Sequence, residues 1–174
     1  MIGRLAITAF TKKHDAADPH SFMISQDGLQ IGVFTDIGVS CEEVIRNFRL
    51  CHAVFLESNY CEEMLDGGRY PYFLKQRIRG GHGHLSNREA LDLFVRYRSP
   101  YLRHIILSHL SSNNNRMELV NQLFTEKAGD VKVTVASRFR ETELFALDPV
   151  PIQQRPVLLR SAVPSIKPRQ LSLF

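Results

Sequence analysis

Residues 29–56 read LQIGVFTDIGVSCEEVIRNFRLCHAVFL, and the elements they imply decide the fold class. Leu29–Phe34 is a short apolar run of strand type. Ser40-Cys41-Glu42-Glu43 has capping-box spacing, in which Ser40 and Glu43 would satisfy free N–H groups at a helix start. Ala53–Leu56 is a second, buried strand. Strand, helix and strand in so short a span predict an α/β domain.

The same alternation extends to both sides. Leu5–Phe10 and Ser21–Ser25 read as strands around the polar loop Thr11–His20, and Gln26-Asp27-Gly28 is a turn. After Ala53–Leu56 comes a helical pair broken at Gly67-Gly68. Ser86 and Glu89 make a second capping box, followed by Ala90, Leu93, Phe94 and Tyr97 at helical spacing. Ile105–Leu107 is a short strand, and Asn115 with Glu118 opens a third capped helix whose core face carries Val120, Leu123 and Phe124. Val131–Val135 is the last clear strand. From Pro149 onward five of the eight prolines appear, the acids vanish and no period persists. The expected organisation is therefore an α/β domain over residues 1–148 and an extended, basic, Pro-rich tail over 149–174.

The 174 residues suffice for one domain with a real core. No apolar run approaches the roughly 18 residues that span a bilayer, and the opening residues carry no signal-peptide pattern. Cys41, Cys51 and Cys61 are odd in number and lack C-x-x-C spacing, as expected of reduced thiols in a cytoplasmic protein without a membrane partner. The net charge of +4 is unevenly spread. No carboxylate lies between Asp66 and Glu89, while Arg69, Lys75, Arg77, Arg79 and Arg88 do, and the tail adds Arg155, Arg160, Lys167 and Arg169. Such stretches suit polyanions such as DNA or RNA, and the rings of Tyr70, Tyr72 and Phe73 could stack on bases. A solvated charged face accounts for either stretch alone equally well.

Polar residues stand where the apolar runs stop. His14-Asp15 follows the first strand, Asp36 the third, Glu57-Ser58-Asn59 the fourth, and Ser108-His109 the fifth. In α/β sheets, sites form beyond the C-terminal strand ends, so these groups can meet on one edge. Histidine with aspartate suits zinc, or manganese where oxygen ligands dominate. Each residue also has an ordinary structural role: Asp36 can cap a turn, and His109 can be a hydrogen-bonded histidine near a helix. Gly80-Gly81-His82-Gly83-His84-Leu85-Ser86-Asn87 is a glycine-rich loop opening a helix, where backbone N–H groups can meet a phosphate or simply form a turn.

His14-Asp15-Ala16-Ala17-Asp18-Pro19, Thr35-Asp36-Ile37-Gly38, Leu56-Glu57-Ser58-Asn59-Tyr60, Gly83-His84-Leu85-Ser86-Asn87 and Ser108-His109-Leu110-Ser111 together resemble the metallo-β-lactamase superfamily. The branch is that of YycJ-type DNA exonucleases, related to ribonuclease Z, and the likeness runs from about residue 3 to residue 147. The resemblance implies an αββα fold, incomplete here and corresponding to its C-terminal half. It implies a metal-dependent phosphodiester hydrolase of DNA repair or replication, using two divalent ions (zinc or manganese) that activate water and stabilise the leaving oxygen. It makes His14 and His109 ligands of separate ions and Asp36 their bridging carboxylate. His84 becomes the acid assisting the leaving group, oriented by Glu57. The family signature His-x-His-x-Asp-His occurs nowhere in the chain. Weak metal binding or none is expected of this chain alone, with an exposed sheet face that favours self-association. A non-catalytic nucleic-acid-binding remnant is the alternative reading, and a hydrolase of small esters or lactones a weaker one. Finally, Gln170-Leu171-Ser172-Leu173-Phe174 resembles the peptide motif that binds the bacterial sliding clamp, with three apolar side chains for a partner to bury.

Overall fold

The structure, a computed structural model, describes residues 2–148. The clamp-motif residues Gln170–Phe174 and the rest of the expected tail lie outside the described residues. Six strands, β1 (Ala6–Thr11), β2 (His20–Gln26), β3 (Leu29–Phe34), β4 (Ala53–Glu57), β5 (His104–Ser108) and β6 (Lys132–Val135), form one sheet in sequence order. The helices are α1 (Glu42–Phe48), α2 (Glu62–Gly67), α3 (Tyr72–Arg79), α4 (Asn87–Tyr97) and α5 (Met117–Ala128). Every strand read from the sequence is present, with ends moved by at most one residue.

The β1–β2–β3 pairings are antiparallel and the β3–β4–β5–β6 pairings parallel. It follows that β1, β3, β4, β5 and β6 run one way and β2 alone runs back. The C-terminal ends of five strands therefore share one edge.

One face of the sheet holds the core. Phe34, Val54, Leu56, Ile105 and Leu107 meet Val44 and Phe48 of α1, Ala90, Leu93 and Phe94 of α4, and Val120 and Phe124 of α5. The period-2 pleat sends alternate residues to the opposite face. There the register aligns two rows across all six strands: Ile7, Ile24, Ile31, Ala53, His104, Lys132 and Ala9, Phe22, Val33, Phe55, Ile106, Thr134. The chain beyond β6 reaches this face at its lower end, where Phe145 lies against the His104 ring at 4.0 Å between centroids.

Two of the three expected helix caps are corrected. At α4 the box is complete, with Ser86 accepting the Glu89 N–H and Glu89 accepting the Ser86 N–H. At α1 the cap position falls on Cys41, without a side-chain bond, and Glu43 pairs with Arg46 instead. At α5 the cap position is Arg116. Asn115 is turned inward, donating to the Ser58 and Asn59 carbonyls at 2.9 and 3.0 Å and bonding the Asn87 amide. A buried, fully satisfied amide is worth more to this fold than a cap that water can replace.

Candidate metal centre

The shared strand edge brings the polar strand ends together. His14 lies in the loop after β1, Asp36 directly beyond β3, Glu57 at the end of β4, and His109 directly beyond β5. His14 Nε2 is 3.7 Å, and His109 Nε2 3.5 Å, from Asp36 Oδ1. His84 arrives from the loop between α3 and α4, its ring centroid 5.2 Å from each of the other two imidazoles. Ligand atoms of Asp36, His84 and His109 all lie within 4.8 Å of one another. The groups line a cleft of about 510 Å³ that Asn59, Tyr70, Arg77 and Arg138 also border.

Backbone strain marks the same place. Asp36 (φ 55°) and His109 (φ 57°) are left-handed non-glycine residues, each at a cost of roughly 1–3 kcal/mol. Cross-strand ties hold them there. Lys12 Nζ donates to the Thr35 carbonyl, Gly38 N–H to the Lys13 carbonyl at 2.7 Å, and Asn59 Nδ2 to the His109 carbonyl at 2.8 Å. Glycines permit the closest approach: a Cβ on Gly38 would collide with the Gly81 carbonyl, and one on Gly83 with the Ile78 carbonyl. The glycine-rich loop is thus a packing device. The His84 N–H at its end goes to the Ile78 carbonyl at 2.9 Å, so it does not face a phosphate.

Each imidazole is aimed by its second nitrogen. His14 Nδ1 sits 2.8 Å from the Gly83 carbonyl, which can only accept, so Nδ1 carries the proton and Nε2 is left as a donor atom. His84 Nδ1 lies 2.7 Å from Glu57 Oε1 and is directed in the same way. Glu57 has no exposed surface, and its Oε2 accepts the Ile37 N–H at 2.7 Å. The Glu57 carboxylate, 3.6 Å from His109 Nδ1, holds the His109 imidazole above the usual histidine range against the opposing effect of burial, and Asp36 adds to the rise. Burial pushes the Lys12 ammonium down, while Asp36 and Glu57 pull it back. A cluster of three imidazoles and a carboxylate, with His14 and His84 aimed from behind, suits a borderline divalent ion such as zinc.

The five basic residues of the 69–88 stretch do not form one bare cationic surface. Arg77 is hydrogen-bonded to Asp15 and holds that carboxyl below the usual range; Arg79 pairs with Asp66. Arg88 pairs with Glu62 at 3.1 Å and Glu63 at 2.8 Å, away from the cleft. Lys75 rests on the Asp66 carbonyl, and Arg69 is exposed. Of the five, Arg77 borders the cleft.

Two further residues at the site, Arg138 in the cleft and Lys12 behind it, were absent from the sequence reading. Arg138 follows β6 and donates to the Leu110 carbonyl; extending the strand-end rule to the last strand would have found it. Lys12, the first residue beyond β1, carries the same strand-end signal. The buried Asn87–Asn115 pair, with Ser58 donating to Asn87 at 2.7 Å, ties the ends of β4 and β5 to the start of α4.

No protein-family model matches the sequence. Over 129 residues the chain is 33% identical to the exodeoxyribonuclease YycJ of Bacillus anthracis, a stretch that covers 72% of this chain and 49% of that protein. It is 28% identical to the exodeoxyribonuclease WalJ of Streptococcus pneumoniae over 138 residues, covering 79% of this chain and 51% of that one. The chain thus spans about half the length of the curated relatives it matches. Among solved structures it resembles the metallo-β-lactamase fold protein YhfI from Bacillus subtilis (TM-score 0.56, 14% identity, 78% of this chain and 48% of that one). It also resembles the Zn(2+)-bound PqqB from Methylobacterium extorquens (TM-score 0.53, 13% identity, 78% and 49%). The chain has the metallo-β-lactamase fold over about half of that fold's extent.

Proposed function

We propose that this chain carries part of the active site of a metal-dependent phosphodiester hydrolase acting on nucleic acid, a DNA exonuclease in kind. The observation behind this reading is the convergence of His14, Asp36, His84 and His109 on one strained sheet edge, three of them meeting at or near a single carboxylate oxygen. His14, Asp36 and His109 would hold divalent ions, zinc or manganese, with Asp36 placed between the two imidazoles. Bound ions would supply Lewis-acid stabilisation of phosphoryl oxygens. The chain's own groups do the rest. Glu57 accepts the His84 Nδ1–H hydrogen bond, which turns His84 Nε2 to the cluster; with both ring nitrogens protonated, the Nε2–H can pass its proton to a departing oxygen. Arg77 and Arg138 flank the cleft and favour an anionic substrate. The likeness to two exodeoxyribonucleases supports DNA over a small ester.

Three ligands are few for two ions, so the remainder would come from a segment of the His-x-His-x-Asp-His kind. The test is a chimera joining this chain to the portion of the Bacillus anthracis relative outside the match. Manganese-dependent degradation of DNA is expected, abolished by Asp36→Ala. His84→Ala should slow turnover by about 10²–10⁴-fold while metal uptake stays within a few-fold, as expected of a general acid. Full activity of the Asp36→Ala chimera would overturn the assignment. On sequence alone, Gln170–Phe174 is further proposed to dock on a sliding clamp; absence of binding by a peptide ending in these residues would remove that part.

A further inference from the structure

We propose that α3 is a stacking platform for single-stranded nucleic acid, leading an unpaired strand into the cleft; this rests on the reading of the cleft as a phosphodiesterase site. The helix is unusual in burying none of its eight residues. Tyr72 is 76% and Phe73 73% exposed, on a segment that also carries Lys75, Arg77 and Arg79. A helix this short is not stable by itself. It is held instead by its polar ties, Lys75 and Arg79 to Asp66 and Arg77 to Asp15. Two large rings facing water bring such a helix no stability, so their position asks for a partner.

The position of the helix says which partner. Leu74, Arg77 and Ile78 of α3, with Tyr70 just before it, form one wall of the cleft that holds His14, His84 and His109. Phe73 and Arg77 are four residues apart and therefore neighbours on one helix face. At a rise of about 1.5 Å per residue, the rings begin roughly 7 Å along the axis from Ile78. One or two nucleotides span that distance. A strand whose phosphate lay at the imidazoles would carry its next bases over Phe73 and Tyr72. No carboxylate lies between residues 67 and 88, and the Lys75 ammonium is bonded to a carbonyl and keeps its charge for a phosphate. Rings stack on bases that are unpaired, because in a duplex both faces of each base are already covered. Exposed rings beside the Lys75 ammonium, which no carboxylate cancels, thus select a single strand, and they select it without reading sequence.

The experiment is binding of a dye-labelled oligothymidylate of about twelve nucleotides to the full chain, followed by fluorescence anisotropy in the presence of a chelator. Without metal, the outcome is independent of whether the chimera hydrolyses DNA, so failure of either reading is seen separately. The Tyr72→Ala, Phe73→Ala double variant should bind the single strand at least about fivefold more weakly. Tyr72→Phe, which keeps the ring, should bind as the unsubstituted chain does. Binding to a duplex of the same length should change less than twofold in the double variant, roughly the scatter of a charge-only contact. Both rings are exposed, so the unfolding midpoint should stay in place. Equal single-strand affinity with the rings removed would overturn the proposal. So would equal losses for single strand and duplex, or no binding by the unsubstituted chain at low salt. A fall in sedimenting mass in the double variant would assign the rings to a contact between protein copies and overturn it equally.

Discussion

Glu57 is a carboxylate without exposed surface, a placement tolerated only because both oxygens are in use. Oε2 accepts the Ile37 N–H and Oε1 faces His84 Nδ1, each at 2.7 Å. Glu57→Gln keeps the shape but turns one acceptor into a donor, which must face the Ile37 N–H or else force the His84 proton from Nδ1 to Nε2, and either way the charge-assisted bond is lost. The expected loss is about 1–3 kcal/mol in urea unfolding, the cost of a buried group left unpaired. Unchanged stability would mean that Glu57 does not anchor the Asp36 turn. A second residue sets a pH response. His52 is buried just before β4, and its Nδ1 accepts the Gln30 N–H at 3.1 Å, so adding a proton there breaks a bond. Burial, and then the Arg103 charge, hold its pKa below the ordinary histidine value. As pH falls, the unfolded chain takes up this proton first. Stability therefore declines from the ordinary histidine pKa down to the lower folded value and levels off beneath it. His104, lowered by burial and Lys132, adds a term of the same sign. The urea midpoint should drop as pH falls below the ordinary histidine pKa. His52→Asn, whose Oδ1 can accept the Gln30 N–H but cannot be protonated in this range, should show a smaller drop; an identical one would assign the response elsewhere.

The elements divide into those that local chemistry determines and those that distant partners determine. The strands were legible because each is an apolar run closed by polar residues. The strand-end rule then located His14, Asp36, Glu57 and His109, which the parallel topology gathers on one edge. Helix caps were less legible, since Ser-x-x-Glu marks an opportunity that the fold takes at Ser86 and declines at Ser40. A paired measurement checks this difference. Ser86→Ala should cost about 1 kcal/mol in unfolding free energy, whereas Ser40→Ala should fall within about 0.5 kcal/mol of zero. Equal effects would mean that the α1 cap forms in solution after all. The Asn115 cap was misread, and the pairing of Arg77 within the basic stretch went unseen, for a common reason. Their partners lie far along the chain, Ser58 for Asn115 and Asp15 for Arg77, and no local pattern announces them.

At the scale of the molecule, the unequal faces of the sheet decide how the chain behaves in solution. A sheet flanked by helices on one face still has to bury the other if that face is apolar. The two outer rows place Ile7, Ile24, Ile31, Ala9, Phe22, Val33 and Phe55 together, and Ile7 and Phe22 remain 44% and 42% exposed. Among the described residues, the return of the chain after β6 brings Phe145 and Leu147 to the lower end, beside His104, Ile24 and Ile31. Contiguous apolar surface of this kind drives association when nothing else covers it. The 174-residue chain by itself should therefore self-associate, with sedimenting mass rising with concentration. The Ile7→Thr, Phe22→Thr double variant should return it to a monomer, because threonine keeps β-propensity while removing the most exposed apolar area of the patch. Its unfolding transition should remain cooperative, since neither side chain belongs to the helix-facing core. The chimera proposed above supplies a second test of the same face. If the added segment packs there, the chimera should be monomeric without the threonine substitutions. A chain that sediments as a monomer at every concentration would show that this face is already satisfied by the chain itself.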